Sequence, residues 1–185
     1  MESSRPTGSF KLRSAWHACC HYASKGATAF VSSSGGNAGI AVAHSGRKLG
    51  LPVTVVVPET TSARARQLIE QEGARLIVHG KAWSEANDYA LSLATDEIIY
   101  IHPFDNPLLW EGISTIVDEV ISEGVKPDAV ILSVGGGSML SGIAQGLEKN
   151  QPGHIPVYAV ETHGTASLTP RLMPVSWCVL IKSAA

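Results

Sequence analysis

Apolar runs typical of buried strands alternate with helical segments along most of this 185-residue chain. The clearest run is Val53–Val57, which is β-branched throughout and ends at Pro58. Continuous runs of this kind are typical of parallel strands that are buried on both faces. Segments with helical spacing of apolar residues follow the strands, and glycine ends two of them, at Gly50 and Gly73. The pattern predicts an α/β fold of parallel sheets, with helices on both faces and right-handed crossovers.

The predicted elements follow one another without an internal repeat. Predicted helices cover 11–25, 37–49, 62–72, 83–94, 109–122 and 140–147, and predicted strands cover 28–31, 53–57, 75–78, 98–101, 129–134 and 157–160. Residues 1–6 are a short polar lead without a strand, and the pattern is lost after residue 166. We therefore expect a fold that is incomplete at both ends.

Composition restricts the classes of partner. Hydrophobic residues make up 44% of the chain, and the formal net charge is −2, so no basic surface for nucleic acid is expected. No segment approaches the roughly 18 apolar residues of a membrane span, and the first ten residues lack a secretory signal. The three cysteines, Cys19, Cys20 and Cys178, lack metal-site spacing and fit a reducing compartment. We expect a cytoplasmic protein with a small-molecule partner and with neither nucleic acid nor membrane.

A lysine at the start of the first predicted helix is the first candidate for chemistry. Lys11 lies in the sequence Ser9-Phe10-Lys11, after Pro6, Thr7 and Gly8. An attacking lysine must be neutral, and both burial and the positive potential of a helix N-terminus lower a lysine pKa. The alternative interpretation is an ordinary solvated lysine at a helix start.

Two glycine-containing turns, each between a strand and a helix, are candidates for binding anions. The first turn comprises Ser34, Gly35, Gly36, Asn37 and Ala38, and the second comprises Gly135, Gly136, Gly137, Ser138 and Met139. Backbone N–H groups and a helix dipole at such a turn point towards a bound carboxylate or phosphate. The second turn matches neither Gly-x-Gly-x-x-Gly nor a P-loop, so both nucleotide-binding fingerprints fail.

Together these residues resemble the fold type II, tryptophan-synthase-like pyridoxal-phosphate enzymes, and most closely the cytosolic L-serine/L-threonine dehydratases. The resemblance extends from about Pro6 to Thr165 and includes segments 103–107 and 161–164. It implies a tryptophan synthase β-like fold and pyridoxal 5'-phosphate as cofactor. It also implies α,β-elimination on L-serine, which gives pyruvate and ammonia, with L-threonine as a further candidate substrate. The full-length form is expected to be a homodimer.

The resemblance implies a role for each candidate residue. Lys11 is expected to form the Schiff base and then to act as general base, with Phe10 packed on the cofactor ring. Asn37 is expected to bind the ring hydroxyl, and the turn 34–38 to bind the substrate carboxylate. Residues 135–139 are expected to bind the cofactor, with the phosphate at 135–138. Glu161 is expected to bind a monovalent cation such as K⁺.

Several positions depart from the patterns of this family. Ser138 replaces a fourth glycine, so a left-handed backbone angle there would be strained. Gly35 stands where serine racemases have the serine that acts as acid and base on the second face, which argues against racemisation. Ala38 replaces the histidine of biosynthetic threonine dehydratases and racemases. The family's later segment that supplies a partner for the ring nitrogen has no match after Glu161.

The resemblance also implies a domain organisation. A small α/β domain is expected at 13–105, part of a large cofactor-binding domain at 1–12 and 106–165, and an irregular or non-native tail at 166–185. Four alternatives stay open: a non-catalytic fragment of such an enzyme, a serine racemase, a threonine dehydratase, and a Rossmann-like nucleotide-binding domain, which the glycine spacing disfavours.

Overall fold

The structure is a computed structural model that describes residues 1–150, 154–162, 164 and 166–168. It divides into a first unit, Met1–Pro103, and a second unit that begins at Phe104. In the described residues the first unit contains a 3₁₀ helix at Glu2–Ser4, helices α1 (Lys11–Ser24), α2 (Asn37–Leu49), α3 (Ala63–Gln71) and α4 (Trp83–Ser92), and strands β1 (Ala29–Ser32), β2 (Val53–Val57), β3 (Arg75–Val78) and β4 (Ile98–Tyr100). The second unit contains helices α5 (Pro107–Ser122) and α6 (Ser138–Asn150), and strands β5 (Val130–Ser133) and β6 (Val157–Val160).

The first unit is built around a four-stranded parallel sheet with the order β3-β2-β1-β4. Strand β1 lies in the middle, where Phe30 is paired in register with Val53 on one side and Ile99 on the other. Helix α4 packs on the face that carries Val31 and Val56, and helix α2 lies against β1 and β2. The two central strands are therefore buried on both faces, as the β-branched run in β2 predicts.

The second unit contains a two-stranded parallel sheet in which Val130 pairs with Val157 and Ser133 with Val160. Helices α5 and α6 pack against each other. Their shared core includes Val117, Leu132 and Ile143, which are buried. Ile131, whose side chain alternates with that of Leu132, is 66% exposed.

The predicted fold class is confirmed, because every described strand pair is parallel and strands alternate with helices. The largest boundary difference is at the end of α6, which extends to Asn150 rather than to residue 147. Two helix starts differ by two residues each. Helix α5 begins at Pro107, two residues earlier than predicted, because the Asn106 side chain accepts a hydrogen bond from the Leu108 N–H and proline suits the first helical position. Helix α6 begins at Ser138 rather than at residue 140.

The predicted domain boundaries stay a prediction. Residues 1–12 group with the first unit. The predicted tail, 166–185, lies outside the described residues apart from 166–168. No helix among the described residues is long and apolar enough to cross a membrane.

Candidate functional site

Lys11 is the first residue of α1, with Phe10 as the residue that caps the helix. Its ammonium Nζ donates a hydrogen bond of 2.8 Å to the carbonyl oxygen of Pro103 and lies 5.2 Å from the centre of the Phe10 ring. Burial lowers the pKa of Lys11 to about 8, because removing the charged form from water is costly. About one tenth of this amine is therefore neutral at pH 7, far more than for an ordinary lysine, and the neutral form is the one that a nucleophile or a general base requires.

The segment before Lys11 is held against α1 by ion pairs. The carboxylate of Glu2 accepts hydrogen bonds from the Nε and Nη2 atoms of Arg13, at 2.9 and 2.8 Å, and another from Nε of Arg5. Arg13 is buried and lies two residues after Lys11. The hydroxyls of Thr7 and Ser9, in the same segment, are buried without a hydrogen-bond partner. Such orphaned hydroxyls are costly in a protein alone and are typical of positions where a ligand supplies the missing partner.

The first predicted anion-binding turn, 34–38, connects β1 to α2. Gly36 caps α2 and Asn37 is its first residue, while the hydroxyl of Ser34 accepts a hydrogen bond from the Gly36 N–H at 3.3 Å. The first N–H groups of a helix have no partner within the helix, so the α2 N-terminus can receive a carboxylate. Gly36 and Asn37 are exposed, and the other three residues are partly exposed. The turn is thus accessible to a small ligand.

Helix α2 approaches this turn closely. A Cβ atom on Gly39 would lie 1.9 Å from the backbone oxygen of Ser34 and 3.2 Å from the side chain of Val55. Glycine is therefore required at residue 39 for the helix to meet the turn and the sheet at this distance.

A polar cluster supports the turn from the side of the sheet. The buried hydroxyl of Ser33 donates to Oδ1 of Asn87 at 2.9 Å and lies 2.8 Å from the Tyr100 hydroxyl, which also donates to Asn87. Burial raises the pKa of Tyr100, so this hydroxyl keeps its proton. The cluster connects the end of β1 to α4 and to β4, and thereby fixes the residue that precedes Ser34.

The second predicted anion-binding turn connects β5 to α6 in the second unit. Gly137 has a left-handed backbone angle, φ +83°, and its carbonyl accepts the hydrogen bond from Ser141 N that begins the helix. The residue with the left-handed angle is therefore a glycine, and Ser138 is buried as the first helical residue, so the strain considered for Ser138 does not arise. A Cβ atom on Gly136 would lie 2.3 Å from the Phe104 ring. Gly135 and Gly136 are exposed.

Glu161 lies directly after β6 and is 8% exposed. Its Oε1 atom accepts hydrogen bonds from the backbone N–H groups of Ser167 and Leu168, at 2.7 and 2.8 Å. The hydroxyl of Ser167 donates to the carbonyl oxygen of Gly135 at 2.7 Å. Ser167 therefore links Glu161 to the glycine turn within the second unit. Within the described ranges there is no group of three or more His, Cys, Asp or Glu side chains that could hold a metal ion.

The predicted residues thus belong to two sets. Ser9, Phe10 and Lys11, together with the turn 34–38, lie in the first unit, while 135–139 and Glu161 lie in the second. Each set fits part of pyridoxal phosphate. In the first unit, the partly desolvated lysine fits the aldehyde, and the orphaned Ser9 hydroxyl can bond to a polar group of the ligand. In the second unit, the glycine turn at the N-terminus of α6 fits the phosphate. Sequence reasoning missed the Pro103 carbonyl and Ser167 as partners of these residues, because neither residue type indicates which distant residue it contacts.

Comparisons with known proteins show which proteins this chain is similar to. A serine dehydratase-like protein of Mus musculus is 47% identical over 173 residues, which cover 92% of this chain and 53% of that protein. The L-serine dehydratase of Dictyostelium discoideum is 47% identical over 180 residues, covering 90% of this chain and 51% of that protein. The crystal structure of an L-serine ammonia-lyase from Rhizomucor miehei matches with a TM-score of 0.85 and 36% identity, covering 92% of this chain and 55% of that structure.

This chain spans about half the length of the curated relatives that it matches. The TM-score to the fungal enzyme extends the confirmed fold class to the tryptophan synthase β-like architecture that the motifs predict. The family model for pyridoxal-phosphate dependent enzymes matches residues 1–176. The chain therefore belongs to the family of pyridoxal-phosphate-dependent enzymes.

Proposed function

We propose that the protein is a pyridoxal-phosphate-dependent L-serine ammonia-lyase, which converts L-serine to pyruvate and ammonia by α,β-elimination and takes L-threonine as a second substrate. The observation that carries the proposal is Lys11, a partly buried lysine with a pKa of about 8 at the start of α1. The named activities of relatives that are 36 to 47% identical support the choice of substrate.

Lys11 acts first as the attachment point and then as the base in this proposal. Its amine is held by the hydrogen bond to the Pro103 carbonyl, which limits where the lone pair can point. The neutral amine removes the α-proton of the substrate at Nζ. The bound cofactor supplies an electron sink for the resulting carbanion.

The two turns bind the charged groups. The N-terminus of α2, with the Ser34 hydroxyl, binds the substrate carboxylate, and Asn37 binds the ring hydroxyl of the cofactor. The turn at Gly135, Gly136 and Gly137, with the N-terminus of α6 at Ser138 and Met139, binds the cofactor through its phosphate. Gly35 has no side chain and so provides no second acid or base, which favours elimination over racemisation.

Three further assignments accompany the proposal. Glu161, a buried carboxylate linked through Ser167 to the Gly135 carbonyl, contributes to a K⁺ site. The full-length protein is a cytoplasmic homodimer. Its partner molecule is a small amino acid.

Borohydride reduction tests the central assignment. Protein incubated with pyridoxal phosphate, reduced and digested should carry the cofactor on the peptide that contains Lys11. A separate, unreduced sample loaded with the cofactor should convert L-serine to pyruvate with little D-serine. Lys11→Arg should remove the label, whereas Lys25→Arg, at an exposed lysine near the end of the same helix, should not. Label spread over surface lysines such as Lys25 and Lys126 would contradict the assignment.

A second candidate function is cofactor binding without turnover. The second unit favours it, because β5, the strand that leads into the glycine turn, pairs only with β6 among the described strands and leaves Ile131 66% exposed. In that case the label appears on Lys11, but no pyruvate forms from L-serine.

A further inference from the structure

Thr61 lies against the glycine of the proposed carboxylate turn. A Cβ atom on Gly35 would lie 2.6 Å from the Oγ1 atom and 2.7 Å from the Cγ2 atom of Thr61. Both distances are far below van der Waals contact, so the Thr61 side chain occupies the volume that a side chain on residue 35 would need. Gly35 and Thr61 are therefore complementary in shape, although they are 26 positions apart in the chain.

The backbone of Thr61 is fixed by several hydrogen bonds. Its N–H donates to the carbonyl of Pro58 at 3.0 Å. The guanidinium of Arg66 donates from Nε to the Thr61 carbonyl at 2.9 Å and from Nη2 to the Glu59 carbonyl at 2.6 Å. Ser62, the next residue, caps helix α3. Because the segment is held at both ends, Thr61 is presented to Gly35 by a rigid scaffold.

We propose that Thr61 is a substrate-binding residue whose hydroxyl donates a hydrogen bond to the carboxylate held by the turn 34–38. This inference rests on the proposed function, since it takes that turn as the carboxylate site. The hydroxyl lies beside the Gly35 backbone, on the side of the turn to which a residue-35 side chain would project. A hydroxyl donor beside backbone N–H donors adds a charge-assisted bond, which is stronger than a bond between neutral groups.

Two substitutions distinguish the effect of the Thr61 hydroxyl from the effect of the shape of its side chain. Thr61→Val keeps the branched shape and removes the donor, whereas Thr61→Ser keeps the donor and removes the methyl group. The readout is the dissociation constant of L-serine, from the change in absorbance when L-serine is added to cofactor-loaded protein, together with KM and kcat where turnover occurs. We expect Thr61→Val to weaken L-serine binding about tenfold or more, with kcat within about twofold, and Thr61→Ser to stay within about threefold of wild type.

Unchanged L-serine binding in Thr61→Val overturns the inference, and so does equal weakening in both variants, since the role would then be one of shape alone. If borohydride does not label Lys11 of the wild-type protein, the proposed function fails and the role of Thr61 fails with it. If Lys11 is labelled but the Thr61→Val result is negative, only the inference about Thr61 fails.

A cofactor-free measurement tests the contact itself. Gly35→Ala should lower the urea midpoint of the protein, because the new methyl group collides with Thr61. Combining Gly35→Ala with Thr61→Ala should recover most of that loss, whereas combining it with Thr61→Val should not. If the urea midpoint falls equally in Gly35→Ala and in both double variants, Thr61 does not occupy the space beside Gly35, and the inference loses its basis.

Discussion

The two units use the same succession of strands and helices but bury their strands to different degrees. In the first unit, β1 and β2 each have a strand on both sides, and Val55, Val56 and Val57 are fully buried. In the second unit, β5 and β6 have only each other among the described strands, and Ile131 is 66% exposed. A parallel sheet gains stability when both faces and both edges are covered. The number of neighbouring strands, rather than the type of element, distinguishes the two units.

This difference affects the two halves of the proposed chemistry. The turn that would bind the carboxylate follows β1 of a well-buried sheet, and the amine of Lys11 is held by its hydrogen bond to the Pro103 carbonyl. The glycine turn that would hold the phosphate starts from β5, beside an open apolar cavity of about 250 Å³ whose lining includes Val120, Pro127 and Ile131. We therefore expect substitutions in the first unit to have the larger effects on stability.

The largest effect expected from one added methyl group is at Gly39. In Gly39→Ala the new methyl group would overlap the Ser34 carbonyl, so α2 must move away from the turn, at a cost of about 3 kcal/mol in unfolding free energy. Hydrogen exchange measured by mass spectrometry should show the greatest loss of protection in peptides from 29–57. Gly36→Ala is the matched control, since a Cβ atom there would have no heavy atom within 4 Å, and we expect it to cost no more than about 1 kcal/mol, because alanine is a poorer N-cap than glycine. Equal effects in the two variants would refute the close approach of α2.

The second effect is a pH dependence caused by Lys11. Its pKa is about 8 in the folded protein and ordinary, about 10.4, in the unfolded chain. Between these values the unfolded chain binds one more proton, so the free energy of unfolding rises with pH across this window. Relative to Lys11→Met, the wild-type protein should gain about 2 kcal/mol from pH 7.5 to pH 10.5, a value discounted because the amine is partly exposed.

Urea titrations of both proteins at several pH values measure this difference. Lys25→Met, a change at an exposed lysine, is the control and should differ from wild type by a constant amount. A difference between wild type and Lys11→Met that does not change with pH would mean that Lys11 is solvated. The first unit would then lose the feature that carries the proposed function.

The sequence is sufficient to predict the helices and strands but not the contacts between them. The β-branched run at Val53–Val57 and the glycines at 50 and 73 predict where strands and helices lie, because burial and chain reversal depend on local residue type. The bond from Lys11 to Pro103 joins residues 92 positions apart, and neither residue type predicts it. The fit of Thr61 against Gly35 has the same origin: it depends on packing distances, which the order of residues along the chain does not reveal.

The smallest effect on stability, and the one that best tests the second unit, is expected at Ile131. Its side chain lies on the exposed face of a two-stranded sheet, so replacing it with lysine removes little buried area, and the free energy of unfolding should change by no more than about 0.5 kcal/mol. An exposed apolar side chain beside an apolar cavity and a strand edge favours association, and a charge at that place opposes it. Ile131→Lys should therefore reduce self-association, measured by light scattering at several protein concentrations.

Leu132→Lys is the contrasting variant, because Leu132 belongs to the buried core and an unpaired charge there should unfold the second unit. If Ile131→Lys destabilises as strongly as Leu132→Lys, β5 is covered on both faces, and the contrast between the two units disappears.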